Sequence, residues 1–251
     1  MRILWIVLIL LAAGTAQAAQ RTIHVFVALA DNTHQGIVPV SARLGNGDDP
    51  DNNLYWGAAY GVRTYFSRSK DWQHIATVKK PARGVLERCL FQHKTANVLL
   101  VADAYQGKEI RRATVDFLSA AGGGKAATWT AGGKMVRIGG GADLVIYAGH
   151  NGLMDFSLAE KEITRGQQGR PAMVLCCKSK QYFLPWLQQM KAKSLLLTTN
   201  LMAPEAYSIH DALAAWISGK DNKHIHEGAA AYHRYQKCGI NAARRLFWTA
   251  T

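Results

Sequence analysis

The sequence is poor in the residues that mark several classes of protein. Its 251 residues include only four cysteines and six prolines, too few for a disulfide scaffold or a proline-rich linker protein. Charged residues make up 19 % and hydrophobic residues 49 %, which excludes an intrinsically disordered chain. No run of Lys or Arg exceeds two residues, and no nucleic-acid-binding module is recognisable. We therefore expect a sizeable core and no specific nucleic-acid partner.

The charge that is present is unbalanced. Thirty Lys and Arg side chains stand against 17 Asp and Glu, which gives a formal net charge of +13. Most of this charge is dispersed, although the residues from Lys220 onward carry six basic and two acidic side chains. An anionic envelope surface could attract that segment, but a solvated basic helix is the simpler interpretation. The composition indicates no oligomeric state.

The first residues have the pattern of an export signal. Arg2 precedes an apolar run over residues 3–13, and Ala16 and Ala18 then form a small-x-small cleavage site. The run is shorter than the ~20 apolar residues that span a bilayer, although an uncleaved N-terminal anchor is the alternative. We expect residues 1–18 to be a signal peptide. Residues 19–251 are then predicted to be a single α/β domain that is exported to the periplasm or secreted.

Short apolar segments alternate with helical patterns along the rest of the chain. Buried strands are predicted at residues 22–30, 97–103, 142–148, 171–176 and 193–199. Helices are predicted at residues 54–66, 108–121, 157–166 and 228–247, with a basic loop at 76–84 and an edge strand at 85–91. Continuously apolar strands between helices are typical of a three-layer sandwich, a mostly parallel central sheet with helices on both faces.

A histidine and a cysteine follow two successive strands of this predicted sheet. The third strand runs into Gly149-His-Asn-Gly152, and the fourth ends at Cys176-Cys177. Consecutive strands are usually neighbours, and ligands bind beyond the carboxyl ends of parallel strands. A cysteine beside an imidazole is an activated nucleophile, because its thiolate attacks a carbonyl while the histidine transfers protons. Taken separately, each residue has a plainer explanation as a turn histidine or a buried thiol.

These two segments resemble the caspase-like cysteine peptidases, which include caspases, legumains and gingipains. In that family one hydrophobic strand ends in His-Gly, and another ends in a small residue followed by the catalytic cysteine. The matching segments here are Leu144-Val-Ile-Tyr-Ala-Gly-His-Asn-Gly152 and Ala172-Met-Val-Leu-Cys-Cys-Lys-Ser179. The resemblance implies a caspase-like fold and an exported endopeptidase, with His150 as general acid and base and Cys177 as nucleophile.

Two departures from the family pattern leave alternatives open. Asn151 separates His150 from Gly152, so the oxyanion donors implied by the resemblance are the backbone N–H groups of Gly152 and Cys177, or Asn151 itself. Cys176 is an alternative nucleophile, although strand alternation points one of the two cysteines away from the site, and we favour Cys177.

Asn151 also keeps open a non-catalytic protein of the same fold that acts as an envelope binding or assembly module. A different cysteine-dependent α/β hydrolase is disfavoured, because the chain has no G-x-C-x-G elbow.

Acidic residues near the same sheet edge are candidates for ligand binding. Asp31 and Asp103 follow or end the first two strands, and a carboxylate in a pocket would select arginine or lysine in a peptide or protein substrate. Asp48, Asp49 and Asp51 could bind calcium. They lack the full EF-hand pattern, so an exposed turn is the simpler interpretation, and no other cofactor is expected.

The remaining cysteines and histidines suggest structural rather than catalytic roles. In an oxidising compartment Cys89 and Cys238 either form a disulfide or are simply buried thiols. The residues near the last predicted helix that could hold a metal are His224, His226, Glu227 and His233. A solvated cluster explains them more simply, and no metal site is predicted.

Overall fold

Strands form where apolar and β-branched residues run without interruption. In the structure, a computed structural model that describes residues 19–250, these segments build an eight-stranded sheet and a separate two-stranded hairpin. The predicted signal peptide, residues 1–18, lies outside the described residues. The strands are β1 (Arg21–Ala28), β2 (Trp72–Ala82), β3 (Val85–His93), β4 (Val98–Tyr105), β5 (Ala127–Ala131), β6 (Lys134–Ile138), β7 (Leu144–Ala148), β8 (Pro171–Leu175), β9 (Lys193–Thr198) and β10 (Phe247–Trp248).

The large sheet is mixed rather than parallel throughout. Its order is β10-β9-β8-β7-β1-β4-β3-β2. The five consecutive strands from β9 to β4 are parallel, whereas β10, β3 and β2 pair antiparallel at the two edges. Strand order reverses at β1, because β4 lies on one side of it and β7 on the other. Such a reversal opens a crevice at the carboxyl ends of the strands.

Helices cover both faces of the large sheet. They are α1 (Val62–Arg68), α2 (Ile110–Ala121), α3 (Ser179–Gln189), α4 (Ala206–Ile217), α5 (Asn222–Ala230), α6 (His233–Gln236) and α7 (Ile240–Leu246). Alternate residues of β1 enter two different cores, one packed against α1, α4, α5 and α7 and the other against α2 and α3. None of the helices formed by residues 19–250 is both long and apolar enough to cross a membrane.

Several predicted elements are wrong in type or extent. The basic segment 76–84 belongs largely to the exposed edge strand β2, so β3, predicted as an edge, has a neighbour on each side. Only the end of segment 54–66 is helical, because the backbone packs closely at Gly57 and Gly61. Segment 157–166 contains only a short 3₁₀ turn at Glu160–Glu162. The predicted helix 228–247 is interrupted at Lys237 and Gly239, which have positive φ.

A buried ionic cluster joins the sheet to the segment that follows the β5–β6 hairpin. Arg88 on β3 donates two hydrogen bonds to Asp103 on β4, at 2.6 and 2.7 Å. His24 on β1 contacts the same carboxylate at 3.1 Å, and its other ring nitrogen accepts a hydrogen bond from the backbone N–H of Gly139. Asp103 is therefore a structural residue that links three strands and the turn after β6.

We predict that Asp103→Asn destabilises the protein by about 3–5 kcal/mol, because it leaves the buried guanidinium of Arg88 without its counter-charge. The measurement is the free energy of unfolding in denaturant at neutral pH. Asp71→Asn is the control, since Asp71 is exposed and 3.6 Å from His210, and its loss should cost at most about 1 kcal/mol. Equal effects of the two substitutions would contradict the structural role of Asp103.

The same carboxylate makes stability depend on pH. Burial alone would raise the pKa of Asp103, but hydrogen bonds from Arg88 and His24 outweigh it and lower the pKa below the usual 3.8. A group whose pKa is lower in the folded protein contributes stability above its unfolded pKa and loses that contribution as the pH falls. We therefore expect the unfolding free energy to fall below about pH 4, with a shallower fall in Asp103→Asn than in the wild type.

Candidate active site

The pairing of β7 with β8 brings the predicted histidine and cysteine to one place. Ala148 on β7 is the register partner of Leu175 on β8. His150 and Cys177 each follow these partners by two residues, so they leave neighbouring parallel strands at the same level. Both line one cavity of about 390 Å³ at the carboxyl ends of the strands. The structure thus brings together the two residues that sequence reasoning placed in a catalytic pair.

Backbone constraints hold His150 at this edge. Gly149 has φ of +138°, and a Cβ at that position would lie 2.7 Å from the carbonyl oxygen of Ala28, so a larger residue would push β7 away from β1. The buried hydroxyl of Tyr147 donates a hydrogen bond to the backbone oxygen of His150 at 2.8 Å. These contacts fix where the imidazole enters the cavity.

Asp155 is a partner of His150 that sequence reasoning missed. Its Oδ2 lies 2.8 Å from Nε2 of His150 and accepts a hydrogen bond from the backbone N–H of Gly36 at 3.0 Å. The ring nitrogen Nδ1 of His150 is therefore the one that remains for proton transfer. The sequence feature that could have revealed this partner is a carboxylate five residues after the histidine. It lies just beyond the 3₁₀ turn Gly152–Met154, which begins after Asn151.

The two adjacent cysteines have different surroundings. Cys176 is fully buried in the core beneath α3, and burial raises the pKa of its thiol well above the usual value. Cys177 is partly exposed and lines the cavity, where its Sγ accepts from the backbone N–H of Met202 at 3.4 Å. It precedes the first turn of α3 by two residues, and the positive end of a helix dipole favours an anionic group. These positions agree with the choice of Cys177 over Cys176.

Asn151 links the turn that carries His150 to the turn that carries Cys177. It is fully buried, its amide Nδ2 donates to the backbone oxygen of Cys177 at 2.6 Å, and its Oδ1 accepts from the N–H of Leu153. Its role as an oxyanion donor stays a prediction. Gly152 lies close to Phe156, where a Cβ would be 2.7 Å from the ring. Neither residue is among those that line the cavity.

The walls of the cavity are mostly apolar. Most of the lining residues come from the three loops that follow β1, β7 and β9. Two aromatic residues come from the turns before α1 and α6. The lining residues are Gly36, Ile37, Val38, Tyr55, Gly149, His150, Met154, Cys177, Leu201, Met202, Pro204 and Tyr232. Burial is the main cause of a raised pKa of Tyr55, to which the neighbouring thiol of Cys177 adds, so the phenol is neutral at physiological pH.

The two carboxylates predicted to bind substrate both make hydrogen bonds within the protein. Asp103 is held in the buried cluster with Arg88 and His24. Asp31 is 5 % exposed, accepts hydrogen bonds from the N–H groups of Thr33 and His34, and contacts the His34 ring at 2.9 Å. Both carboxylates thus have partners within the protein and neither lines the cavity, so a contact of either with substrate stays a prediction.

The residues considered for calcium do not form a set of converging ligands. Asp51 pairs with Arg63 at 2.8 Å, which lowers its pKa. Asp49 accepts from backbone N–H groups and from Asn52, and Asp48 accepts from Gln106. Within residues 19–250 no group of three or more His, Cys, Asp or Glu side chains is arranged to hold a metal ion. Calcium binding by Asp48, Asp49 and Asp51 therefore stays a prediction.

The other two cysteines form no disulfide, and each histidine near the last helices has a different partner. Cys89 is buried on β3 and Cys238 is exposed, and both are free thiols. The disulfide is therefore not formed, and the expectation of a buried thiol is right for Cys89 and wrong for Cys238. His224 contacts Asp221, whereas the imidazole of His226 contacts the backbone oxygens of Arg244 and Phe247. The imidazole of His233 contacts the carbonyl oxygen of Ala230.

A larger depression, of about 800 Å³, lies at the opposite end of the parallel strands. It is bordered by the first residues of β1, β8 and β9, which are Arg21, Pro171 and Lys193, and by Lys220 and Lys223 near α5. Part of the basic charge that follows Lys220 is therefore gathered on this side. No cysteine lines this depression, whereas His150 and Cys177 both line the smaller cavity.

We predict that a thiol reagent modifies Cys177 and Cys238 in the folded protein, while Cys89 and Cys176 react only after unfolding, because the last two are buried. Peptide mapping by mass spectrometry after a short alkylation reads out each site. Cys238→Ser removes the exposed reference thiol and should leave modification at Cys177 alone. Labelling of Cys176 in preference to Cys177 would contradict the arrangement of this site.

Comparisons of the chain with models of protein families, with curated proteins and with solved structures found no match. The functional assignment of this site therefore rests on its geometry and on the residue pattern around His150 and Cys177.

Proposed function

We propose that the chain is an exported cysteine endopeptidase of caspase-like type, which hydrolyses peptide bonds with Cys177 and His150. The observation that carries the proposal is the shared position of these two residues. They follow register partners on adjacent parallel strands by the same two residues and line one cavity. Nucleophilic catalysis by cysteine requires a base on the same side of the substrate, and the five parallel strands provide that alignment.

The chemistry follows from the groups around the cavity. The Cys177 thiolate attacks the carbonyl carbon of the scissile bond, forming a C–S bond and a tetrahedral oxyanion. Collapse of this intermediate breaks the C–N bond while His150 gives its proton to the leaving amine. A water molecule then loses a proton to His150 and attacks the thioester. The C–S bond breaks, which releases the acid, and the proton on His150 returns to the sulfur. The backbone N–H of Cys177 is the proposed donor to the oxyanion.

Asp155 and Met202 complete the proposed machinery. Asp155 holds the imidazole by Nε2, so it stabilises the imidazolium that forms when His150 accepts a proton. The backbone N–H of Met202 donates to Sγ of Cys177 at 3.4 Å, and the carbonyl oxygen of Met202 lies 3.5 Å from the same sulfur. These contacts hold the proposed nucleophile and base in place.

We predict that Cys177→Ala and His150→Ala each abolish cleavage of a mixed peptide library. The first removes the attacking atom, and the second removes a general acid–base contribution of about 10²–10⁴-fold. Fragment mass spectrometry measures the cleavage, and thermal unfolding confirms that each variant is folded. Cys238→Ser is the matched control, because Cys238 is an exposed thiol, and its activity should equal that of the wild type.

Two outcomes would contradict the proposal. Undiminished cleavage by Cys177→Ala would show that another residue supplies the nucleophile. A folded, reduced wild-type protein that cleaves nothing in the library would instead favour the non-catalytic alternative, an envelope protein that binds or assembles without turnover.

For Asp155→Asn we expect a smaller loss of turnover than for His150→Ala, because the imidazole remains but loses its carboxylate partner. The diagnostic readout is the division of the loss between kcat and KM, which should fall on kcat, because Asp155 contacts the imidazole and does not line the cavity. Glu160→Gln is the control, because Glu160 is an exposed carboxylate in the same segment. An unchanged kcat in Asp155→Asn would contradict the role of Asp155 in holding His150.

A further inference from the structure

The cavity around Cys177 has the character of a pocket for an uncharged, apolar side chain. We propose that the residue whose carbonyl is attacked carries a large apolar side chain such as leucine, methionine or phenylalanine, which enters this cavity. This inference rests on the proposed peptidase function. It differs from the expectation of a carboxylate pocket that selects arginine or lysine.

The first line of evidence is the chemistry of the lining. Besides His150 and Cys177, the residues that supply side chains are Ile37, Val38, Tyr55, Met154, Leu201, Met202, Pro204 and Tyr232. No carboxylate, lysine or arginine is among them. A charged substrate side chain would therefore lose its hydration without gaining a partner, which is strongly unfavourable.

The second line of evidence is the exposure of apolar side chains at the cavity. Val38 is 84 % exposed, Leu201 61 % and Met154 40 %. These three are half of the six large hydrophobic residues that are exposed in the described chain, and each comes from a different loop. Exposed apolar residues that gather around a concave site indicate a surface that is covered when a ligand binds.

The third line of evidence is that hydrogen bonds connect two parts of the cavity wall to Cys177 and to the carboxylate that holds His150. The backbone of Gly36, which precedes Ile37 and Val38, donates to the Asp155 carboxylate that also holds His150. On the other side, Met202 contacts Sγ of Cys177 through its backbone N–H and carbonyl groups. An acyl group on Sγ would therefore have its own side chain next to these walls. The cavity volume of about 390 Å³ is within the range of small-ligand pockets.

The test uses quenched fluorescent peptides that are identical except at the residue before the scissile bond. We expect kcat/KM of the wild type to be at least about 100-fold higher for leucine, methionine or phenylalanine than for lysine, arginine, aspartate or asparagine. Leu201→Glu places a carboxylate at the rim and should raise kcat/KM for lysine and arginine while lowering it for leucine. Val38→Glu is a second variant at an even more exposed position, and thermal unfolding checks that both are folded.

Met135→Glu is the matched control, because Met135 is 67 % exposed on β6 and does not line the cavity. It introduces the same charge and should leave the preference unchanged. A wild type that cleaves best after lysine, arginine, aspartate or asparagine would overturn the apolar specificity while leaving the peptidase proposal intact. A folded wild type that cleaves no peptide of any series would overturn both.

Discussion

The parallel register between β7 and β8 is the constraint on which the candidate site depends. Because Ala148 pairs with Leu175, the turns that carry His150 and Cys177 start side by side. A slip of one residue would turn each side chain of one strand to the opposite face of the sheet. Two separate cores hold the register, since alternate residues of both strands are buried on opposite faces. The position of His150 and Cys177 is thus a consequence of core packing and not of contacts within the cavity.

The loops beyond the strands are joined to one another by polar side chains. Asn151 connects the histidine turn to the backbone of Cys177, and Asp155 connects His150 to the loop that contains Gly36. Each side chain makes one hydrogen bond within the loop after β7 and one to another segment, so each joins two loops. Loops that carry function are otherwise the mobile parts of a fold. Here the side chains that contact His150 and the backbone of Cys177 also hold neighbouring loops together.

The parallel core of the fold could be predicted from the sequence because each of its strands is short and continuously apolar. The positions of His150 and Cys177 followed from the same pattern, since both residues come directly after such strands. The edges were less predictable. Strand β2 is largely exposed and rich in lysine, so its composition is that of a loop, and only its pairing with β3 makes it a strand. The hairpin β5–β6 likewise depends on a small third core that includes Leu90 and Val101 of the main sheet.

The lining of the cavity could not be predicted in the same way, because it depends on which polar groups already have partners. Asp31 follows β1 and Asp103 lies within β4, and neighbouring donors already contact both carboxylates. The side chains that do reach the cavity come from loops with no apolar periodicity, such as the one that contains Leu201 and Met202. Asn151 also shows that hydrogen-bond partners cannot be read from the sequence. In the sequence it is an extra residue that counts against an intact oxyanion site. In the structure its two hydrogen bonds make it the link between the turns of the proposed nucleophile and base.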